Sequence, residues 1–202
     1  MNKKIKKELI SYGLMALIAA LLYATGLHTP LISYLQRGLL ATGLVRPNTE
    51  KAKEKTGTAR PNIDLNIKLI DAEGQLVNMQ QFRDKVLFIN VWATWCPPCL
   101  AEMPNIDQLY RDLEGDDVVF IMLSVDQDFS KAVNHVSEKG FRFPVYQIGE
   151  GWPASLNSST IPTTYVIDRM GTLVLEHRGM AKYNTKEFKA FLQELMDLPT
   201  SF

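Results

Sequence analysis

The segment Val86-Leu87-Phe88-Ile89-Asn90-Val91-Trp92 has one polar residue in seven, and Cys96-Pro97-Pro98-Cys99 follows after a gap of three residues. A short apolar run rich in β-branched and aromatic side chains predicts a strand buried on both faces, and the pattern after Cys99 predicts a helix. The two cysteines, the only ones in 202 residues, therefore stand where a strand turns into a helix. The unpaired N–H groups and the dipole at a helix start favour thiolate over thiol, most of all for Cys96 as first of the pair. Cys99 lies one turn further in, close enough to close a disulfide, so the pair can act as a two-electron redox switch.

Two cysteines cannot build the disulfide framework of a small secreted domain, nor a four-cysteine metal site. No third cysteine is present to accept a lipid. The net charge of zero divides unevenly: residues 1–61 carry ten Lys and Arg against three Asp and Glu, and residues 62–202 carry twelve against nineteen. A body with a net charge of −7 argues against nucleic acid, which requires basic patches to neutralise phosphate.

The basic segment 1–8 contains Lys3, Lys4, Lys6 and Lys7, and residues 9–27 are nineteen positions without a charge. That length spans a bilayer core, and the lysines place the amino side in the cytoplasm. The segment predicts a transmembrane signal-anchor that exports the rest of the chain. Ala24-Thr25-Gly26 leaves a cleaved signal peptide as the competing reading. In residues 28–45 the spacing of Leu31, Ile32, Leu35, Leu39, Leu40 and Leu44 predicts an amphipathic membrane-proximal helix lying on the membrane, on the body or on a partner. Residues 46–61 are small, polar and charged and predict a flexible linker.

In the body, 62–202, Leu65–Ile70 and Gln75–Val77 flank the turn 71–74 and predict an N-terminal β-hairpin, with a short turn at Met79–Phe82 after it. The first core strand at Val86–Trp92 is followed by a helix over Pro98–Leu113, which Pro104 should kink. Val118–Val125 predicts the second core strand, completing a right-handed βαβ unit. A helix over Phe129–Lys139 closed by Gly140, a short edge strand at Phe143–Gln147, a terminal hairpin at Thr164–Asp168 and Leu173–His177, and a last helix over 184–197 complete the chain.

Four features together resemble a known family: Trp95-Cys96-Pro97-Pro98-Cys99 after a buried strand, Glu102-Met103-Pro104 beyond it, Thr160-Ile161-Pro162-Thr163 before the terminal hairpin, and the export signal. The body is similar to the thioredoxin fold, a central mixed sheet flanked by helices. It resembles more narrowly the TlpA/ResA group of membrane-tethered, extracytoplasmic thiol-disulfide oxidoreductases. The likeness covers about residues 62–202.

The resemblance implies that Pro162 is the cis proline facing the disulfide, where sequence alone reads an ordinary trans turn proline. It implies that Trp95, Pro97, Pro98, Ile161 and Thr163 line the substrate site with it. Glu102 lies one turn beyond Cys99, and a partly buried carboxylate there would have a raised pKa and could take the Cys99 proton. Thioredoxin itself carries an ionisable aspartate where this chain has Asn90, which makes Glu102 the remaining base. Asn90 itself reads as a residue satisfying core hydrogen bonds, Trp92 as packing and Trp95 as rim, with Trp152-Pro153 a possible addition to that rim.

The function expected is reduction of protein disulfides in the periplasm or its equivalent. The Cys96–Cys99 disulfide is the redox centre, no cofactor is required, and a membrane electron donor re-reduces the pair. The alternatives are a thiol oxidase or isomerase of the same fold, or a copper-binding module in which His135 or His177 approaches Cys96.

Overall fold

The computed structural model describes residues 3–49, 61–113, 115 and 117–198. A mixed sheet of seven strands runs in the order β2-β1-β5-β4-β3-β6-β7. At its centre is β3 (Val86–Trp92), every residue of which is buried. It pairs in parallel with β4 (Val118–Ser124) and antiparallel with β6 (Thr163–Ile167), which continues into β7 (Leu173–Arg178).

Two crossovers, β3 to β4 through α3 (Pro97–Asp112) and β4 to β5 (Val145–Glu150) through α4 (Phe129–Lys139), step across the sheet in the same direction. Right-handed crossovers in one direction put both helices on one face, and the last helix, α5 (Lys186–Met196), joins them there. Val86, Phe88 and Trp92 of β3 share a core with Met103, Ile106, Val136, Phe188 and Leu192. Leu87, Ile89 and Val91 point to the other face, where Ile63, Ile67, Met79 and Leu156 cover them. The period of two in β3 thus serves two separate cores.

The N-terminal hairpin is shorter than the alternation at 65–70 predicts: β1 is Lys68–Ile70 and β2 is Leu76–Asn78. Asp64 Oδ1 accepts the Asn66 N–H at 2.9 Å, a local turn that holds residues 64–66 out of the ladder. The strand expected at Phe143–Gln147 forms instead at Val145–Glu150 and is interior, because β1 pairs with its free edge. Pro144 has no N–H for a ladder, and a Cβ at Gly149 would sit 2.8 Å from the Lys68 carbonyl oxygen, so only glycine lets β1 approach. The terminal hairpin and last helix fall within a residue or two of their expected limits. Asp168 Oδ1 accepts the Met170 and Thr172 N–H groups in the turn, and Thr185 caps α5 through the Phe188 N–H.

Ahead of the body, α1 (Lys3–Ala24) exposes almost every side chain from Ile5 onward, and α2 (His28–Ala41) packs against α3. Among the described residues no single helix is long and apolar enough to cross a membrane. The segments Ile5–Ala24 and His28–Ala41 pass that test together, bent by 99°. Of the expected linker, residues 50–60 lie outside the described residues.

Helix α3 runs through Pro104. Proline has no N–H, so the Leu100 carbonyl loses its helical donor, and Arg37 Nη2 of α2 fills the vacancy at 3.2 Å. The covering by α2 is visible in burial: residues 99–103 are all buried, which a helix resting on a sheet by one face does not achieve. Arg37→Met should therefore cost about 1–3 kcal/mol of stability and cost clearly less in a Pro104→Ala chain, where residue 104 supplies the donor. A urea-unfolding double-mutant cycle measures this, and equal costs in both backgrounds would refute the pairing.

Candidate active site

Trp92 ends β3, and Ala93-Thr94-Trp95 carries the chain over the carboxyl edge of the sheet into α3. Asp126 fixes this loop: its carboxylate accepts the Thr94 N–H at 3.0 Å, the Thr94 hydroxyl at 2.7 Å and the Ser124 hydroxyl at 2.9 Å. Cys96 is the N-cap of α3, and Pro97 and Pro98 occupy its first positions. Two prolines remove two of the helix-start donors. The Cys99 N–H is the next in line, and it donates to Cys96 Sγ at 3.3 Å.

Cys96 and Cys99 are joined as a disulfide with Cα atoms 5.3 Å apart. Cys96 is slightly the more open of the two, at 4% against 1% exposed. Trp95 beside them is 62% exposed. Trp92 is fully buried with its ring 6.1 Å from that of His135. Trp152 is half-buried against the core on the opposite face of the sheet.

Behind the disulfide lies a buried polar group. Glu102 has no exposed surface, yet both carboxyl oxygens are engaged: Oε1 accepts from Asn90 Nδ2 at 2.8 Å and Oε2 from the Ala181 N–H at 3.0 Å. Burial pushes its pKa up to about 8, and the hydrogen bonds from Ala181 and Asn90 offset only part of that. At neutral pH the group is mainly a neutral acid. Asn90 also donates to Thr164 Oγ1 at 2.9 Å, so the amide joins the carboxyl to the neighbouring strand.

The Ile161–Pro162 bond is cis. The register pairing Val91 with Thr163 puts this loop at the same sheet edge as Cys96. The Pro162 carbonyl accepts the Gly179 N–H at 2.8 Å. Thr163 is fully buried and its hydroxyl donates to the Thr160 carbonyl at 2.7 Å, so its side chain holds the loop from within. Ile161 is half-buried between the two cores.

The sequence does not announce Ala181 and Thr164 as partners of this site, nor Asp126 as the buttress of the Thr94 loop. Thr164 had a usable signal, since it sits one residue past the proline loop on the strand beside β3. Among the described residues no three His, Cys, Asp or Glu side chains form a metal-ligating group. His135 lies against Trp92 and Phe141, and His177 against Tyr183.

The redoxin family model matches residues 55–192. The chain belongs to the redoxin family. A thiol-disulfide oxidoreductase ResA of Bacillus thuringiensis (strain Al Hakam) is 31% identical over 147 residues, covering 72% of this chain and 82% of that protein. The ResA of Halalkalibacterium halodurans is 29% identical over 132 residues, covering 64% and 74%. Among solved structures, a thiol:disulfide interchange protein of the thioredoxin family from Chlorobium tepidum TLS superposes with a TM-score of 0.59 at 22% identity, covering 69% of this chain and 99% of that one. StoA from Bacillus subtilis gives 0.54 at 18% identity, covering 65% and 98%. At those identities the structures establish the thioredoxin-like fold. With the family and the ResA relatives, this redoxin is a thiol-disulfide oxidoreductase with a Cys96–Cys99 pair.

A carboxyl with a folded pKa near 8 stabilises the fold fully below its unfolded value of 4.5 and ceases to do so as pH rises through 8. Stability should fall between those limits by up to about 1.4 kcal/mol per pH unit. Urea midpoints from pH 4.5 to 8.5 should show this decline, and Glu102→Gln should flatten it. A wild-type profile parallel to that of the variant would contradict the buried neutral acid.

Proposed function

We propose that this redoxin is a membrane-anchored, extracytoplasmic reductant of protein disulfides. The observation that carries the mechanism is Glu102, a fully buried carboxyl one helical turn behind Cys99 with its pKa pushed up to about 8. An ordinary thiol titrates near 8.5, so a proton can pass between Cys99 and Glu102 at little free-energy cost.

With the pair reduced, the Cys96 thiolate, favoured at the helix start, attacks one sulfur of a substrate disulfide. A mixed disulfide forms and the first substrate thiolate leaves. The cis Pro162 loop, at the same sheet edge, and the exposed Trp95 ring hold the extended substrate segment, with Ile161, Pro97 and Pro98 completing the rim. The ionised fraction of Glu102, which grows as pH rises toward 8, accepts the Cys99 proton, and the Cys99 thiolate attacks Cys96 Sγ. The second substrate thiolate is released and protonated, leaving the Cys96–Cys99 disulfide. Two electrons have moved to the substrate. No other cofactor is required, and a membrane electron donor with a dithiol restores the reduced pair.

The anchor reading is supported by α1, whose apolar side chains from Leu9 to Leu21 are exposed among the described residues, and by Lys6 and Lys7 on its amino side. With the basic side in the cytoplasm the body is exported.

The reduced chain should reduce insulin disulfides. Cys99→Ser should stall as a mixed disulfide on Cys96, and full turnover by that variant would exclude Cys99 as the resolving thiol. Glu102→Gln should slow resolution by about a hundredfold and remove the limb of the pH–rate profile that rises toward pH 8. The Cys96–Cys99 potential should fall near about −270 mV, whereas a value near about −120 mV would identify an oxidant.

A further inference from the structure

The second helix has two faces with different demands. Ser33 and Leu40 are buried toward the body and Arg37 reaches the Leu100 carbonyl, which defines one face by the i, i+4, i+7 spacing. The opposite face carries Leu31, Leu35 and Leu39, at 49%, 68% and 45% exposed. On the body-facing side, Gln36 Oε1 and Arg37 Nε are buried without a hydrogen-bond partner among the described residues, at a cost of about 1–3 kcal/mol for each such atom that stays unpaired. A helix held only by that face, with leucines in water on the other, is incompletely stabilised.

What covers the leucines follows from the neighbouring helix. Only residues 25–27 separate α2 from α1, and the two axes meet at 99°. If α1 crosses a bilayer, α2 lies close to the membrane plane. Apolar side chains on one face and polar groups on the other suit an interfacial helix.

The body-side contact fixes what is held there. Arg37 pairs with Leu100, the residue after Cys99, while the Lys182 N–H donates to the Val45 carbonyl at 2.9 Å. The Tyr183 N–H in turn donates to Asn105 Oδ1 at 2.8 Å. The segment therefore lies over the first turns of the redox helix. Packed helices have axes roughly 8–10 Å apart, so the start of α3 stands about one helix-packing distance above the axis of α2.

We propose that α2 is an in-plane interfacial helix whose leucine face lies in the lipid headgroup and upper acyl region, while its Arg37 face clamps the redox helix and so holds the Cys96–Cys99 pair at the bilayer surface. This rests on the reading of α1 as a membrane anchor. It defines the electron donor by position: a membrane protein presenting its dithiol at the surface plane, within reach of a pair that does not swing away on the linker.

The full chain is reconstituted in phosphatidylcholine–phosphatidylglycerol vesicles with Leu35→Trp added, using lipids brominated in the upper acyl chain as quenchers and subtracting the wild-type signal. The added tryptophan should lose fluorescence, whereas Gln193→Trp on the exposed side of α5 should not. In Arg37→Met the residue 35 signal should stay quenched, while the reduced Cys96 thiol should become several-fold more reactive toward a bulky maleimide added from outside. Vesicle-bound protein with an unquenched residue 35 would overturn the interfacial helix and leave the anchor standing. Protein that fails to sediment with vesicles would overturn both. A residue 35 emission that shifts with protein concentration in detergent and is indifferent to lipid bromination would assign the leucine face to a second copy of the chain and overturn the proposal.

Discussion

Three stretches far apart in sequence meet on one carboxyl. Glu102 comes from the redox helix, Asn90 from the central strand, and the Ala181 N–H from the loop after the last strand. Each contact is buried, where a hydrogen bond is stronger and an unmade one costs more. The loop at 179–183 is tied by this carboxyl, by Asn105 and by the Pro162 carbonyl, so the position of the cis-proline loop and the protonation state of the acid behind the disulfide belong to one network. An aspartate at position 90 would place a second acid against Glu102. An asparagine supplies a donor without a second charge, which separates the proton-holding role from the strand and gives it to the helix.

The direction of the two crossovers decides what surrounds that network. With α3, α4 and α5 all on one face of the sheet, the redox helix has helical neighbours on both flanks and only its outer face left over. Pro104 gives that outer face a feature other surface helices lack, a backbone carbonyl with no donor of its own. A guanidinium presents several fixed donors and suits such a site better than an ammonium. The pairing makes α2 a third layer over the redox helix.

Much of the body can be read locally. The run at 86–92 is so uniformly apolar that a strand buried on both sides accommodates it, and the cysteines stand where that run gives way to a helical pattern. The failures are non-local. The strand at 145–150 reads as an edge because nothing in its own residues says that β1 will join it. The permissive feature is the absence of a side chain at Gly149, and an absence has no periodicity. The Glu102 partner at 181 and the Leu100 partner at 37 lie many tens of residues away and leave no spacing signal. The raised pKa of Glu102 was legible as a consequence of burial near the helix start, but its hydrogen-bond donors were not, beyond Asn90 being a buried amide in need of a partner.

The proline in the redox helix also bears on how the protein can be divided. A fragment beginning at residue 62 retains every sheet strand, both cysteines and the Glu102 network, and by its outline is a complete thioredoxin-like domain. It lacks Arg37, however, so its Leu100 carbonyl, one residue after Cys99, would lose that donor. The first turns of the redox helix would then be hydrated in the fragment and dry in the whole chain. A potential measured on the fragment therefore belongs to a different electrostatic environment from the one the whole chain presents.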